Sequence, residues 1–326
     1  MAFVTRDGVR LYYEDHGSGP AVLLSHGYGA TSQMWQDQVA ALKDRYRVIV
    51  WDLRGHGESD YPADPHLYSK RHTVADMAAL LDQCGLERAV IGGHSLGGYS
   101  ALAFHRVHSD RCAALMLFNC GPGFKRDEAR LKWNETAERR AKRFEDEGLA
   151  AMGDRAEFLR AEHRDASGLA HAARGMLAHD NSEVIFSLPQ IKKPTLILVG
   201  EEDTPFIAAT DYMASKIAGS EKAIIQNAGH AASLNNPVDF NAAMSGFLDR
   251  LDCLCIRLTR LPNVKRSGIR PGRLRSDAYR GLVPGLRRVS GNVTERKKRN
   301  DRNPGGPIRS AVWRSDRSGK GPLGRR

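Results

Sequence analysis

A chain of 326 residues with 41% hydrophobic side chains and a formal charge of +11 is long enough to bury a large core in one or two domains. The charge is unevenly placed: residues 253–326 hold 21 Lys and Arg against 4 Asp and Glu, which leaves 28 basic and 34 acidic side chains in residues 1–252, a net of −6. A basic body built for nucleic acid or a membrane surface is thereby excluded for the first 252 residues, and the positive charge belongs to the tail.

The opening stretch MAFVTRDGVRLYYEDHGSGP has no basic region followed by an apolar one, so no secretory signal is expected. No apolar run approaches the ~20 residues of a membrane span. The five cysteines (Cys84, Cys112, Cys120, Cys253 and Cys255) are odd in number, and the last two are separated by a single residue. That spacing suits neither a zinc site nor a disulfide framework. The expectations are free thiols in a reducing compartment, a cytoplasmic location, no metal and no cofactor.

In chain order, the first twenty residues read as a strand pair around an Asp7-Gly8 turn. Four short apolar runs follow: AVLLSHG (21–27), YRVIVWD (46–52), AVIGG (89–93) and AALMLFN (113–119). Continuous apolar runs of this length suit strands covered on both faces of a parallel sheet. Between them, residues 73–85 read as a helix with Thr73 as N-cap, Asp76 at its third helical position and Gly85 as its stop; residues 96–108 read as another. Strand alternating with helix predicts an α/β fold with a doubly wound, mostly parallel sheet. After Cys120 the rhythm breaks for more than seventy residues, until PTLILVG (194–200). The interval is charged and has helical spacing, with Trp133, Ala137, Ala141 and Phe144 on one face and a second helix over 169–178. It predicts a helical insertion over 121–189 between two parts of one core, 1–120 and 190–252. A further strand at 222–229 and a helix over 237–251 close that core. From residue 253 Arg, Gly and Pro dominate without apolar periodicity, which predicts a disordered tail.

The chemistry centres on GGHSLGG (92–98). A serine between a buried strand and a helix N-terminus must turn sharply with its side chain exposed, and bulky residues two before or two after it would collide. Gly93 and Gly97 meet that demand around Ser95, and Gly98 allows close helix–sheet packing. A phosphate-cradling loop is disfavoured, because no Lys follows the glycines.

Together with LLSHGYGA, WDLRGHGES, LVGEEDTP and QNAGHAASLNNP, this segment resembles the α/β-hydrolase superfamily, motif by motif and in the family's chain order over residues 1–252. The resemblance implies Ser95 as nucleophile, Asp203 as orienting acid, His230 as general base, and a lid at the insertion. His230 lies in a Gly-flanked loop after the last strand, and its imidazole titrates near neutrality; His26 and His56 are the competing histidines. Asp203 follows its strand at the family's spacing from Gly200, with Glu201 and Glu202 as near alternatives. The Leu96 N–H at the start of a helix is one oxyanion donor, and the family's His-Gly-x pattern implies the Tyr28 N–H as the second. Tyr28, His94 and Met176 are the expected substrate contacts, with His171 and Arg174 as further insertion residues. Asp52, Arg54, Gly55 and Gly57 match the family's D-x-R-G-x-G-x-S loop and are expected to hold a strand-end turn.

Relatives that dehalogenate or open epoxides carry an aspartate at the Ser95 position, so those reactions are disfavoured. Hydrolysis of a small carboxylic ester through an acyl-enzyme is the first expectation. Alternatives are lactone or C–C bond hydrolysis on the same scaffold, or a non-catalytic receptor. The expected partner is a small-molecule ester or lactone, with no membrane and no nucleic-acid partner. For residues 253–326 an Arg-rich binding arm is one reading; a frameshifted or read-through extension suits the abrupt change of composition better.

Overall fold

The computed structural model describes the backbone of residues 2–259 and the side chains of residues 2–251. Eight strands form one sheet: β1 (Ala2–Arg6), β2 (Val9–His16), β3 (Ala21–Ser25), β4 (Arg47–Trp51), β5 (Ala89–His94), β6 (Cys112–Phe118), β7 (Thr195–Gly200) and β8 (Glu221–Ile225). Their spatial order is β1-β2-β4-β3-β5-β6-β7-β8. β1 and β2 pair antiparallel, as do β2 and β4, and all other neighbours are parallel. The Asp7-Gly8 turn predicted between β1 and β2 is present, with both residues at positive φ.

The period-two alternation of a strand sorts each apolar run onto two faces. Val22 and Leu24, Val48 and Val50, Met116 and Phe118 pack into one layer; Leu23, Ile49, Leu115 and Leu117 pack into the other. The first layer is closed by α1 (Gln36–Leu42), α8 (Ala232–Asn235) and α9 (Pro237–Thr259). From α9 it takes Phe240, Met244, Phe247 and Leu248, at helical spacing. The second is closed by α2 (Lys70–Gln83), α3 (Leu96–Val107) and α7 (Thr204–Lys216), together with the insertion. Every residue of α3 from Leu96 to His105 is buried, so this helix lies at the centre of the molecule.

Several boundaries differ from the sequence reading: β8 ends at Ile225, short of the expected 229, and the helix expected over 169–178 starts at Ala166 and gives way to a π-helical turn at Ala173. α2 starts four residues early, at Lys70 with Ser69 as its N-cap, because the Ser69 hydroxyl accepts the His72 N–H at 3.1 Å. Thr73 therefore sits inside the helix, and Asp76 caps nothing. It faces inward, where Arg54 reaches it through two bonds of 2.7 Å and Arg6 through one of 2.6 Å. α9 continues to Thr259, past the predicted end of the core, so the first residues assigned to the tail are helical. The remainder of that tail, 260–326, lies outside the described residues. Between β6 and β7 the chain forms α4 (Asp127–Glu147), α5 (Ala166–Ala172), a π-helical turn over Ala173–Leu177, and α6 (Glu183–Ser187). Among the described residues no helix is long and apolar enough to cross a membrane.

Three neutral histidines tie the strand-end loops together. The His26 Nδ1–H donates to the Gly27 carbonyl at 2.7 Å while Nε2 accepts the Leu53 N–H at 3.0 Å. His56 donates from Nδ1 to the Arg54 carbonyl and accepts the Gly29 N–H at Nε2. His163, from the insertion, donates from Nε2 to the Gly29 carbonyl and accepts the Gly57 N–H at Nδ1. Each ring needs one bare nitrogen, so a second proton would remove an acceptor that a backbone N–H uses.

Two predictions follow from these buried groups. Arg54 and Asp76 are each 1% exposed, so Asp76→Ala strands a guanidinium in the core. The substitution is expected to cost about 3–5 kcal/mol, read as a lower urea midpoint; a midpoint within experimental error of wild type would refute this.

The second concerns acid. Burial lowers His26 and His94 to about 3 and His56 well below its ordinary value. In the unfolded chain these rings protonate near pH 6.5. Below that pH protons bind the unfolded state preferentially, and stability falls until the folded rings titrate. At pH 5, His26 and His94 should each cost roughly 2 kcal/mol. The Asp52 carboxyl, pushed up to about 6 by burial, works the other way and returns roughly 1 kcal/mol at pH 5. A net loss of at least about 2 kcal/mol is expected between pH 7 and pH 5 by urea unfolding; flat midpoints would show that these rings are not held neutral.

Candidate active site

Ser95 joins β5 to α3 with φ 51° and ψ −111°, a strained geometry for a residue with a side chain. It is locked by its N–H, which donates to the Phe118 carbonyl at 2.9 Å, and by its own carbonyl, which accepts the Tyr99 N–H at 3.0 Å. The glycine requirement is steric. A Cβ on Gly93 would lie 2.3 Å from the Gly97 carbonyl carbon, and one on Gly97 would lie 2.1 Å from the Ser25 carbonyl oxygen.

Asp203 and His230 come from loops after β7 and β8, at the same edge of the sheet. The His230 Nδ1–H donates to Asp203 Oδ2 at 2.9 Å. Asp203 is 5% exposed, and the same oxygen accepts the Asn119 Nδ2–H at 2.8 Å. Asn119 also donates to the Gly229 carbonyl at 3.1 Å, so one amide braces both the acid and the loop carrying His230. The sequence reading passed over Asn119, which shows there only as the polar end of an apolar run. Its φ of 47° places it in the left-handed region that Asn tolerates. The near alternatives Glu201 and Glu202 are exposed and make no bond to His230. The competing histidines His26 and His56 are fully enclosed in the loop network.

Ser95 opens into a cavity of about 290 Å³ lined by Leu96, Tyr99, Phe124, Trp133, Leu177, His179 and Phe206 among others. Phe206 in turn stacks on the His230 ring at 4.8 Å between centroids. Among the described residues the Ser95 hydroxyl makes no hydrogen bond, to His230 or to anything else. The backbone N–H groups of Tyr28 and Leu96 also lack partners among the described residues, although Gly29 and Ala30, which follow Tyr28, are bonded. Gly27 packs beside the elbow, where an added Cβ would come within 3.3 Å of the Ser95 Cβ.

The expected substrate contacts are placed differently. The Tyr28 phenol turns away from the cavity and donates to the Leu169 carbonyl at 2.8 Å; its ring packs edge-on against Phe144. His94 lies behind the site, 2% exposed, with Nε2 donating to the His230 carbonyl at 2.7 Å. Met176, 2% exposed, is core. None of the three lines the Ser95 cavity, because each has an inward partner or neighbour that holds it elsewhere. Arg174 is gripped by Glu138 and Glu145 on the outer face of α4, and His171 packs against Tyr68. The insertion side chains that do reach the cavity are Pro122, Phe124, Trp133, Leu177 and His179. Of these only Trp133 had a signal in the sequence, as a member of the helical stripe; it is partly buried and donates to the Leu177 carbonyl.

Comparison with known proteins agrees with this geometry. A family model for the alpha/beta hydrolase fold matches residues 20–161. The chain is 30% identical over 263 residues to a putative 2-succinyl-6-hydroxy-2,4-cyclohexadiene-1-carboxylate synthase of Bacillus subtilis, covering 74% of this chain and 96% of the relative. It is 30% identical over 271 residues to 3-oxoadipate enol-lactonase 1 of Acinetobacter baylyi, covering 76% and 96%. Among solved structures it is similar to a thermophilic esterase from Thermogutta terrifontis, with a TM-score of 0.66 at 30% identity over 76% of this chain and 97% of that one. With its mostly parallel sheet, its strained serine elbow and relatives matched over nearly their whole length, the chain belongs to the α/β-hydrolase fold family.

Proposed function

We propose that the protein is a serine hydrolase that cleaves a small, uncharged carboxylic ester through an acyl-enzyme. The observation that carries this reading is the His230–Asp203 pair at 2.9 Å, its imidazole stacked on Phe206 in the wall of the cavity that a serine held at positive φ opens into. In the proposed reaction Ser95 Oγ attacks the ester carbonyl as its proton passes to His230 Nε2. The Tyr28 and Leu96 N–H groups, left free by the fold, receive the developing oxyanion. Collapse of the tetrahedral intermediate breaks the bond to the alcohol oxygen, which takes the proton from His230. A water then loses a proton to His230 and attacks the acyl-enzyme; collapse of the second tetrahedral intermediate breaks the bond to Ser95 Oγ, which takes the proton back from His230, and the acid is released. Asp203, held in turn by Asn119, keeps the proton on Nδ1 and steadies the imidazolium. The reaction requires His230 Nε2 to lie within hydrogen-bond reach of Ser95 Oγ in the substrate complex, where such contacts tighten.

The uncharged character of the substrate rests on the lining. No Lys, Arg, Asp or Glu faces the cavity, and Arg174, the insertion's candidate for holding a carboxylate, is spent on two glutamates. A carboxylate such as the one in the name of the Bacillus relative would enter without a counter-charge, at a desolvation cost. An uncharged lactone meets the same cavity equally well and is the second reading.

Intact mass after treatment with a fluorophosphonate should show one adduct on wild type and none on Ser95→Ala. The same substitution should lower kcat on short-chain esters by about 10⁴-fold or more. A folded wild type that takes no adduct would sink the proposal.

A further inference from the structure

The Ser95 cavity holds one anomaly. Its lining is apolar and aromatic apart from the elbow, yet two buried polar groups on its wall have nothing to bond. His179, between the π-helical turn and α6, is 7% exposed, and Tyr99, on α3, is 4% exposed. Their rings stack at 4.2 Å with a 30° tilt. The Tyr99 hydroxyl and His179 Nδ1 are enclosed without a partner, and among the described residues neither ring nitrogen of His179 makes a hydrogen bond. The ring is held in place by its backbone instead: Asn134 donates to the His179 carbonyl at 2.9 Å and accepts its N–H at 2.8 Å. Phe124 and Trp133 flank it.

Buried polar groups are almost always paired, because an unpaired one forfeits its bonds to water and gains none in return. The Tyr99 hydroxyl and His179 Nδ1 both belong to residues that line the cavity opening on Ser95, and a ligand's polar atom that reaches past the packing over them would supply the missing bond. We propose that His179 and Tyr99 determine substrate specificity by hydrogen-bonding a hydroxyl or carbonyl oxygen carried on a flat, otherwise apolar ester or lactone. The proposal rests on the serine-hydrolase reading and narrows its substrate class. The flat body is matched by Trp133, Phe124, Phe206 and the Tyr99 ring. The recognised group is uncharged, because burial holds the imidazole neutral, with its pKa lowered to about 4, and no ionic side chain lines the wall.

The test compares methyl phenylacetates hydroxylated at the ortho, meta or para position with their methyl-substituted counterparts, which have nearly the same shape. In parallel, fluorophosphonate labelling of wild type and Ser95→Ala reports on the reading beneath. For wild type, kcat/KM should favour the hydroxylated ester by about tenfold in at least one pair. That ratio should collapse toward one in His179→Phe and in Tyr99→Phe, which removes a single oxygen and preserves the packing if the histidine variant fails to fold. A ratio that falls in His179→Phe alone keeps His179 and removes Tyr99 from the assignment. A labelled enzyme with no pair above about twofold, or with the ratio unchanged in the variants that fold, overturns this proposal and leaves the serine-hydrolase reading standing. A folded enzyme that takes no label overturns both.

Discussion

The site depends on how closely two backbones approach at one point. The turn after β5 brings Gly97 so near the Ser25 and His26 carbonyls, and Gly93 so near Gly97, that neither position has room for a methyl group. That contact lets α3 run through the centre of the molecule and forces Ser95 into a left-handed backbone. A strained turn of this kind persists only when its surroundings over-determine it. Here the surroundings are the bonds to Phe118 and Tyr99 and the packed sheet on both faces.

Around that point the protein uses neutral groups where charged ones are the commoner choice. His26, His56 and His163 each act as donor and acceptor at once, joining three loops without placing a charge in the core. An imidazole suits this role because one rigid ring satisfies an N–H and a carbonyl on opposite sides. The buried ion pair of Arg54 and Asp76 is different, and Arg6 and the Leu67 carbonyl add further bonds to it.

The parallel strands were legible because a strand covered on both faces must be apolar throughout, and such runs stand out in the chain. The placement of Ser95, Asp203 and His230 at one edge was legible for a related reason: each follows a strand, and a parallel sheet delivers all such positions to one edge. The cavity wall was not. His179 and Phe124 reach the cavity through the packing of irregular segments, which leaves no period in the sequence, and Met176 falls on the buried side of a π-helical turn that shifts the register a regular helix would give. Tyr28 misled for the opposite reason. Its backbone lies where the motif places it, but an aromatic side chain free to turn either way found a carbonyl in the insertion. Asn119 carried no motif, since its work depends on two loops that meet only in the folded chain.

His163 gives the insertion a significance beyond covering the site. Its ring bonds both Gly29, next to Tyr28, and Gly57, so the loop beside the nucleophile is shaped partly by a residue from outside the core. The insertion is therefore not an exchangeable module. A chimera that replaced it with the corresponding segment of a relative would leave the Gly29 carbonyl and the Gly57 N–H bare unless the graft supplied a ring at the same place. The cavity wall and the loop carrying Tyr28 are therefore coupled through one imidazole from the insertion.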